Sequence, residues 1–329
     1  MKTSILAATA VVAALCAATA LAAPPPDSPA GRIAAGEALL PPWQGGNNNP
    51  APQRGFQFTV APVDVLSDFH GSLDHPALVL YIAGNDYFAI SETVRAFEKA
   101  YPRFRGVYFE TLPPGILRKQ LAAGGRITVG NMTWTARPDV FMAGLRVNKA
   151  MAKAGSLVAP VVAYATNDLA IMIPKGNPGH VTGLADLGRP GLPLAMPNPA
   201  WEGVARQIKA ALAAAGGEAL VKSVYTDKVA SGVTVLTHIH HRQTPLWLME
   251  GRVQAGVTWT SEAVFQEKVG HPIAHITIPA AQNTRAIYSA AMVKGAVHAA
   301  AAKAWIKFVA SPEAVGILEH YGFQPYHAN

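Results

Sequence analysis

Two hydrophobic periods alternate along the chain from residue 77 onward, and their order predicts an α/β fold. A continuous apolar run, typical of a strand buried on both faces of a parallel sheet, covers residues 77–83, and shorter apolar runs lie within predicted strands at 106–111 and 138–142. Between these runs, apolar residues recur every three or four positions, which predicts helices from Ser91 to Tyr101 and over residues 115–121. This β-α-β-α-β order favours a parallel sheet, because such strands need a crossover between them.

The remainder of the chain continues the alternation without an internal sequence repeat. Apolar runs predict strands at residues 168–174, 192–196, 253–258, 273–278 and 286–293. Helical spacing predicts helices over 201–214, from 261, over 299–310 and from 312, with a short one at 183–187. Gly216 and Gly217 are predicted to stop the helix before them.

The N-terminal segment has the pattern of a secretory signal peptide. A lysine at position 2 precedes an apolar stretch, and Ala20-Leu21-Ala22 matches a small-residue cleavage site. We therefore expect residues 1–22 to be removed, residues 23–61 to form an irregular leader rich in Pro, Gly and Asn, and the protein to be periplasmic. The single cysteine, Cys16, lies inside the signal, so the mature chain is expected to use no disulfide and no thiolate chemistry.

Composition narrows the class of protein further. Half of the 329 residues are hydrophobic and 14% are charged, which excludes global disorder. Lys and Arg exceed Asp and Glu by 27 to 20, a formal charge of +7, but the basic residues are scattered. We expect a generally cationic surface that steers anions toward the protein, a monomer, and no nucleic-acid partner.

Several segments of the chain form a distinctive series: FEKAYP (97–102), RPDVFMAG (137–144), AIMIPKGNP with VTGLADL (170–187), GVTWTSEA (256–263) and KFVASPEAVGILEHYGF (307–323). In this order and spacing they resemble bacterial periplasmic solute-binding proteins of ABC uptake systems with the type II fold, most closely the molybdate-binding branch. The resemblance implies two α/β lobes, each a mostly parallel sheet flanked by helices, with solute held between them and delivered to an inner-membrane permease. It places lobe one at 62–163 plus 284–329, lobe two at 164–283, and two crossover strands near 164–167 and 283–288.

The resemblance also implies where solute would lie. In this fold the first turns of helices direct backbone N–H groups into the cleft, an arrangement that suits an anion. Carried over by position, the ligand-binding candidates are Asn85, Asp86, Tyr87, Gly115, Ile116, Asn198, Glu202, His241, Arg242, Gln243, Thr244 and Trp259. Arg242 is the strongest candidate for a charged contact, because a guanidinium can grip a carboxylate or an oxyanion with two parallel hydrogen bonds.

This chain departs from the molybdate pattern within those positions. Asn85-Asp86 and Pro113-Pro114-Gly115 stand where small serines are expected, and Trp259 replaces a cleft tyrosine. Asp86 and Glu202 would repel an oxyanion that they faced. Two hypotheses stay open: a receptor for an oxyanion such as molybdate or tungstate, and a receptor for an organic acid, a zwitterion or a metal complex.

The stretch Thr237-His238-Ile239-His240-His241-Arg242 offers a second chemistry. Imidazole is a common ligand of zinc and copper, so His238, His240 and His241 are weak metal candidates, although no carboxylate spacing completes a motif. The simpler interpretation makes them polar groups of the cleft rim and of the core. Glu262, beside Ser261, is interpreted as an acidic residue in the first turn of a helix.

The sequence contains no complete catalytic motif. G-x-S-x-G, H-E-x-x-H and phosphate-binding loop patterns are absent, which favours a binding protein without a cofactor over an enzyme. A metal-dependent enzyme built on the histidines and an exported accessory protein that binds another protein remain alternatives.

Overall fold

The computed structural model describes residues 68–129, 132–200, 202–237 and 240–327. The predicted signal peptide, the leader, Trp201 and His238 lie outside these residues. Among the described residues, no helix is long and apolar enough to cross a membrane.

Thirteen strands and eight α-helices of seven or more residues carry the fold of the described residues, with a ninth, three-residue helix at Lys228–Ala230. The strands are β1 (Asp68–His70), β2 (Leu78–Ala83), β3 (Val107–Leu112), β4 (Arg126–Val129), β5 (Met132–Thr135), β6 (Val140–Gly144), β7 (Leu157–Pro174), β8 (Leu194–Met196), β9 (Thr234–Leu236), β10 (Ala255–Trp259), β11 (Ile273–Thr277), β12 (Arg285–Val293) and β13 (Gln324–Pro325). The helices are α1 (Tyr87–Ala100), α2 (Pro114–Ala122), α3 (Leu145–Lys153), α4 (Val204–Lys222), α5 (Gln243–Met249), α6 (Thr260–Lys268), α7 (Ala299–Val309) and α8 (Pro312–His320).

One continuous sheet runs through the molecule in the order β1-β3-β2-β6-β12-β7-β10-β8-β9, with β11 and β13 paired to β7. Strands β2, β3 and β6 are parallel in what we call the first sheet half, and β8, β9 and β10 are parallel in the second. The long strands β7 and β12 join the two halves and pair antiparallel. The predicted α/β class with two crossover strands is therefore confirmed.

Side chains alternate between two cores in each sheet half. Along β2, Leu78, Leu80 and Ile82 enter the core beneath α1, α7 and α8, whereas Val79 and Tyr81 enter the core on the other face. The second sheet half has the same arrangement, with one core against α4 and another against α5. Because both faces are covered, the strands read as continuous apolar runs.

Three boundaries of helices and strands differ from the predicted ones. Helix α1 begins at Tyr87 rather than Ser91, because the 3-10 turn Gly84–Asp86 leads directly into it. Strand β7 begins at Leu157, since pairing with β12 extends it well before the apolar run. Non-helical torsions at Gly216 and Gly217 mark the predicted stop, yet helical turns resume and α4 ends at Lys222.

Candidate functional site

Two turns from opposite sheet halves meet at Arg242. The 3-10 turn Gly84–Asp86 follows β2, and residues 240–242 precede α5. The buried Arg242 guanidinium donates a hydrogen bond to the Gly84 carbonyl, and its central carbon lies 4.4 Å from the centre of the Tyr87 ring. A Cβ on residue 84 would lie 3.2 Å from the guanidinium nitrogen Nη2, so glycine permits this close approach.

Asn85 and Asp86 bind side chains of the crossover strands. The Asn85 amide donates to the Tyr288 hydroxyl at 2.7 Å. The Tyr164 hydroxyl lies 3.0 Å from both carboxyl oxygens of Asp86 and donates to them. Burial raises the pKa of Asp86 to about 7, and the hydrogen bond from Tyr164 offsets only part of that rise. The turn is thereby attached to both strands that join the sheet halves.

Glu202 organises the loop that carries His241. Its Oε1 accepts hydrogen bonds from the Asn198 backbone N–H at 3.1 Å and from the Thr237 hydroxyl. Its Oε2 accepts the His241 backbone N–H at 2.6 Å and lies 2.9 Å from the Nδ1 atom of the same histidine. The carboxylate is therefore buried and fixed in direction by four contacts.

Glu262 approaches His241 from the opposite side. Its Oε2 lies 3.4 Å from His241 Nε2, and neither of its buried oxygens accepts a hydrogen bond. Burial raises the pKa of Glu262, with the charges of His241 and Arg242 opposing the rise. Desolvation lowers the pKa of His241, but the charge of Glu262 and the hydrogen bond with Glu202 outweigh it, so the pKa is raised.

The surroundings of His240 shift its pKa in the opposite direction to the pKa of His241. Its ring lies 3.8 Å from the ring of His241, centre to centre, and its Nδ1 accepts the Arg242 backbone N–H at 3.2 Å. Burial, together with the nearby charges of His241 and Arg242, holds its pKa well below the usual range. His240 is therefore a neutral imidazole, which is the form that binds metals. Glu202, His240 and His241 each offer one ligand atom, and the three atoms lie within 4.8 Å of one another.

The other candidates occupy different surroundings. Ile116 packs in the core of the first sheet half, and Gly115 is exposed at the start of α2. Trp259 packs in the core against α4. Gln243 and Thr244 are buried in the first turn of α5, beside Arg242.

Glu262 lies in the first turn of α6, as predicted, and the fold also brings it to the histidines, which the sequence left open. Sequence reasoning missed that Tyr164 and Tyr288 hold the turn after β2. The signal in the sequence that could have identified these residues is their place in the order of elements: Glu262 follows the buried strand β10, and both tyrosines lie on crossover strands.

A separate surface groove lies between α2 and α3. It is lined by Arg118, Arg146 and Lys294 among other residues and contains none of the residues around Arg242.

Comparison with known proteins places the chain in a family. Residues 78–324 match the family model described as bacterial extracellular solute-binding protein. The molybdate-binding protein ModA of Mycobacterium tuberculosis is 25% identical over 221 residues, which cover 66% of this chain and 77% of that protein.

Two solved structures share the fold. The sulfate-binding protein SubI from Mycobacterium tuberculosis H37Rv superposes with a TM-score of 0.60 at 21% identity, covering 75% of this chain and 86% of its own. The periplasmic molybdate-binding protein of Azotobacter vinelandii gives 0.59 at 19% identity, covering 76% and 100%. These relatives are binding proteins rather than enzymes. The chain belongs to the bacterial extracellular solute-binding proteins that serve ABC transporters, near the molybdate-binding branch, and has their two-lobe type II fold.

Proposed function

We propose that this chain is an exported receptor that captures a small anionic solute between its two lobes and delivers it to an ABC permease. The lobes are residues 62–163 with 284–329, and residues 164–283. Residues 1–22 serve as the cleaved signal that directs the chain to the periplasm. The receptor acts by capture and release as a monomer, without chemistry on the solute and without a nucleic-acid partner.

The single observation that carries this proposal is the position of Arg242. Its buried guanidinium reaches from one sheet half to the turn Gly84–Asp86 of the other, where helix α1 begins. A planar cation beside a helix N-terminus is suited to an oxyanion or a carboxylate, because both supply directed donors and positive potential. Solute would take the place of the Gly84 carbonyl as the acceptor for Arg242.

Molybdate and tungstate are the leading solutes, with sulfate as the natural comparison, because relatives with this fold are named for molybdate and sulfate. The remaining polar candidates, Asn85, Asn198 and Thr244, would supply further contacts. Tyr87 would lie beside the bound anion, since its ring already packs on the guanidinium.

A specific observation favours an organic zwitterion as the second candidate. Glu202 and Glu262 lie within the same buried group as Arg242, and they would repel an oxyanion that approached them. A solute with a carboxylate for Arg242 and an amine for Glu262 would satisfy both charges. Such a solute would leave Glu262 with a buried cationic partner.

The test is equilibrium binding by calorimetry of the mature protein against molybdate, tungstate, sulfate, amino acids and small organic acids. Arg242→Ala is expected to weaken binding of the preferred solute by at least about tenfold, since a charged buried hydrogen bond is lost. Arg146→Ala, which removes an exposed arginine from the first sheet half, is the matched control and should bind normally. Binding that survives Arg242→Ala unchanged would contradict the proposal.

A further inference from the structure

We propose that Glu202, His240 and His241 form a binding site for one divalent transition-metal ion, of the zinc or copper class. This inference goes beyond the capture of an anion and does not depend on it.

The first observation is the set of possible ligand atoms and the distances between them. One atom from each of the three residues lies within 4.8 Å of the other two, and all three residues are buried. Two imidazoles and one carboxylate match zinc, copper or nickel, whereas magnesium and calcium prefer oxygen ligands alone. Three protein ligands leave a coordination position open to water or to a solute.

The second observation is the set of contacts around Glu202 and His241, which hold these residues in place. Glu202 Oε1 is held by the Asn198 N–H and the Thr237 hydroxyl. The Oε2 atom of Glu262 lies 3.4 Å from His241 Nε2, on the far side of the ring from Glu202. At that distance the Glu262 carboxylate faces Nε2 without a hydrogen bond, and Nδ1 is the ring nitrogen of His241 on the side of Glu202.

The burial of Glu262 is a third observation. Both of its carboxyl oxygens are buried, and neither accepts a hydrogen bond. With Glu202 it places two carboxylates in a buried group whose fixed cation is Arg242. Buried charge is costly unless it is compensated, and a divalent ion beside His241 would compensate it.

The competing explanation is a metal-free triad in which protonated His241 bridges the two glutamates. Replacement of His240 separates the two explanations, because His240 makes neither of the His241 ion pairs with Glu202 and Glu262. A triad would tolerate its loss, whereas a metal site would lose a ligand.

The experiment is calorimetric titration of tag-free mature protein, stripped with a chelator and dialysed, with ZnCl2, CuCl2 and MgCl2 separately. We expect one zinc or copper ion per chain and no magnesium binding. His240→Ala should weaken zinc binding by at least about tenfold. His320→Ala, which removes an exposed histidine from α8, is the matched control and should bind as the wild type does.

If His240→Ala unfolds, His240→Asn replaces it, because the asparagine oxygen can accept the Arg242 N–H in place of Nδ1. Cobalt in place of zinc gives a second readout, since its visible spectrum reports nitrogen and oxygen ligation and should change in either variant. Absence of stoichiometric zinc or copper binding, or binding unchanged by both His240 variants, would overturn the site.

The solute panel is repeated on the chelator-stripped protein. Anion binding without metal binding would overturn this inference and leave the proposed function intact. Metal binding without any anion binding would support the metal site and contradict the proposed function.

Discussion

Arg242 donates a hydrogen bond to the backbone carbonyl of Gly84, which lies 158 residues earlier in the chain. The contact joins the loop before α5 to the turn before α1, so it links the two sheet halves by a route other than the crossover strands. The absence of a side chain at residue 84 favours this close approach, since a Cβ there would lie 3.2 Å from Nη2 of Arg242. Solute binding and the approach of the two turns are therefore expected to depend on the same arginine.

Gly84→Ala tests this relationship. The new methyl carbon would lie 3.2 Å from Arg242 Nη2 and 3.5 Å from His240 Nε2, so the guanidinium must shift. We expect solute affinity to fall several-fold while the free energy of unfolding changes by less than about 1.5 kcal/mol, because the displaced atoms end a flexible side chain. Calorimetry and urea unfolding measure the two effects. Unchanged affinity would mean that the position of Arg242 does not govern binding.

Gly256→Ala is expected to destabilise the second sheet half. A Cβ there would lie 2.4 Å from Thr244 Cγ2 and 2.6 Å from the backbone oxygen of Ala195, and a backbone atom cannot move aside cheaply. Overpacking of this kind costs about 1–3 kcal/mol. Urea unfolding measures the loss. Gly115→Ala is the control, since nothing lies within 4 Å of its Cβ and alanine favours a helix, so it should be neutral or stabilising.

Asp86 predicts a pH dependence of stability. Burial raises its pKa from 3.8 to about 7, so between these values the folded protein holds a proton that the unfolded chain releases. The contribution of Asp86 to stability therefore falls as pH rises from about 4 to about 7 and is constant above that. Three pKa units correspond to at most about 4 kcal/mol.

Asp86→Asn should remove this slope, because asparagine stays neutral and can still accept the Tyr164 hydrogen bond. The variant is expected to equal the wild type near pH 4 and to be more stable at pH 8. Burial also raises the pKa of Glu110, to about 8, so the comparison uses the difference between the two proteins at each pH. Parallel unfolding curves across this range would rule out a buried, neutral Asp86.

The net charge of +7 predicts a salt effect on association. Raising the ionic strength from about 0.1 M to about 1 M shortens the Debye length from roughly 10 Å to roughly 3 Å, which screens long-range attraction of an anion. We expect stopped-flow association rates for the preferred anion to fall several-fold, with smaller changes in dissociation. A neutral or cationic solute would show no such decrease.

The local pattern of apolar and polar residues was sufficient to predict the alternation of strands and helices, but it did not predict where every strand and helix begins and ends. The run at residues 78–83 could be identified as a strand because both of its faces are buried, so its apolar residues are continuous. Residues 158–163, which follow Leu157 at the start of β7, are half-buried or exposed, and they form a strand only because β12 pairs with them. No sequence window around them contains that partner.

The sequence by itself determined the α/β class, the resemblance to solute-binding proteins and the candidacy of Arg242, His241 and Glu202. It did so because periodicity and residue chemistry are local properties. The tertiary structure decided which of those groups meet: Arg242 with Gly84, and His241 between Glu202 and Glu262. These contacts join residues 21 to 158 positions apart, and only the folding of the continuous sheet brings them together. The surroundings of the two imidazoles then shift their pKa values in opposite directions: burial lowers the pKa of His240, whereas the charge of Glu262 and the hydrogen bond with Glu202 raise the pKa of His241.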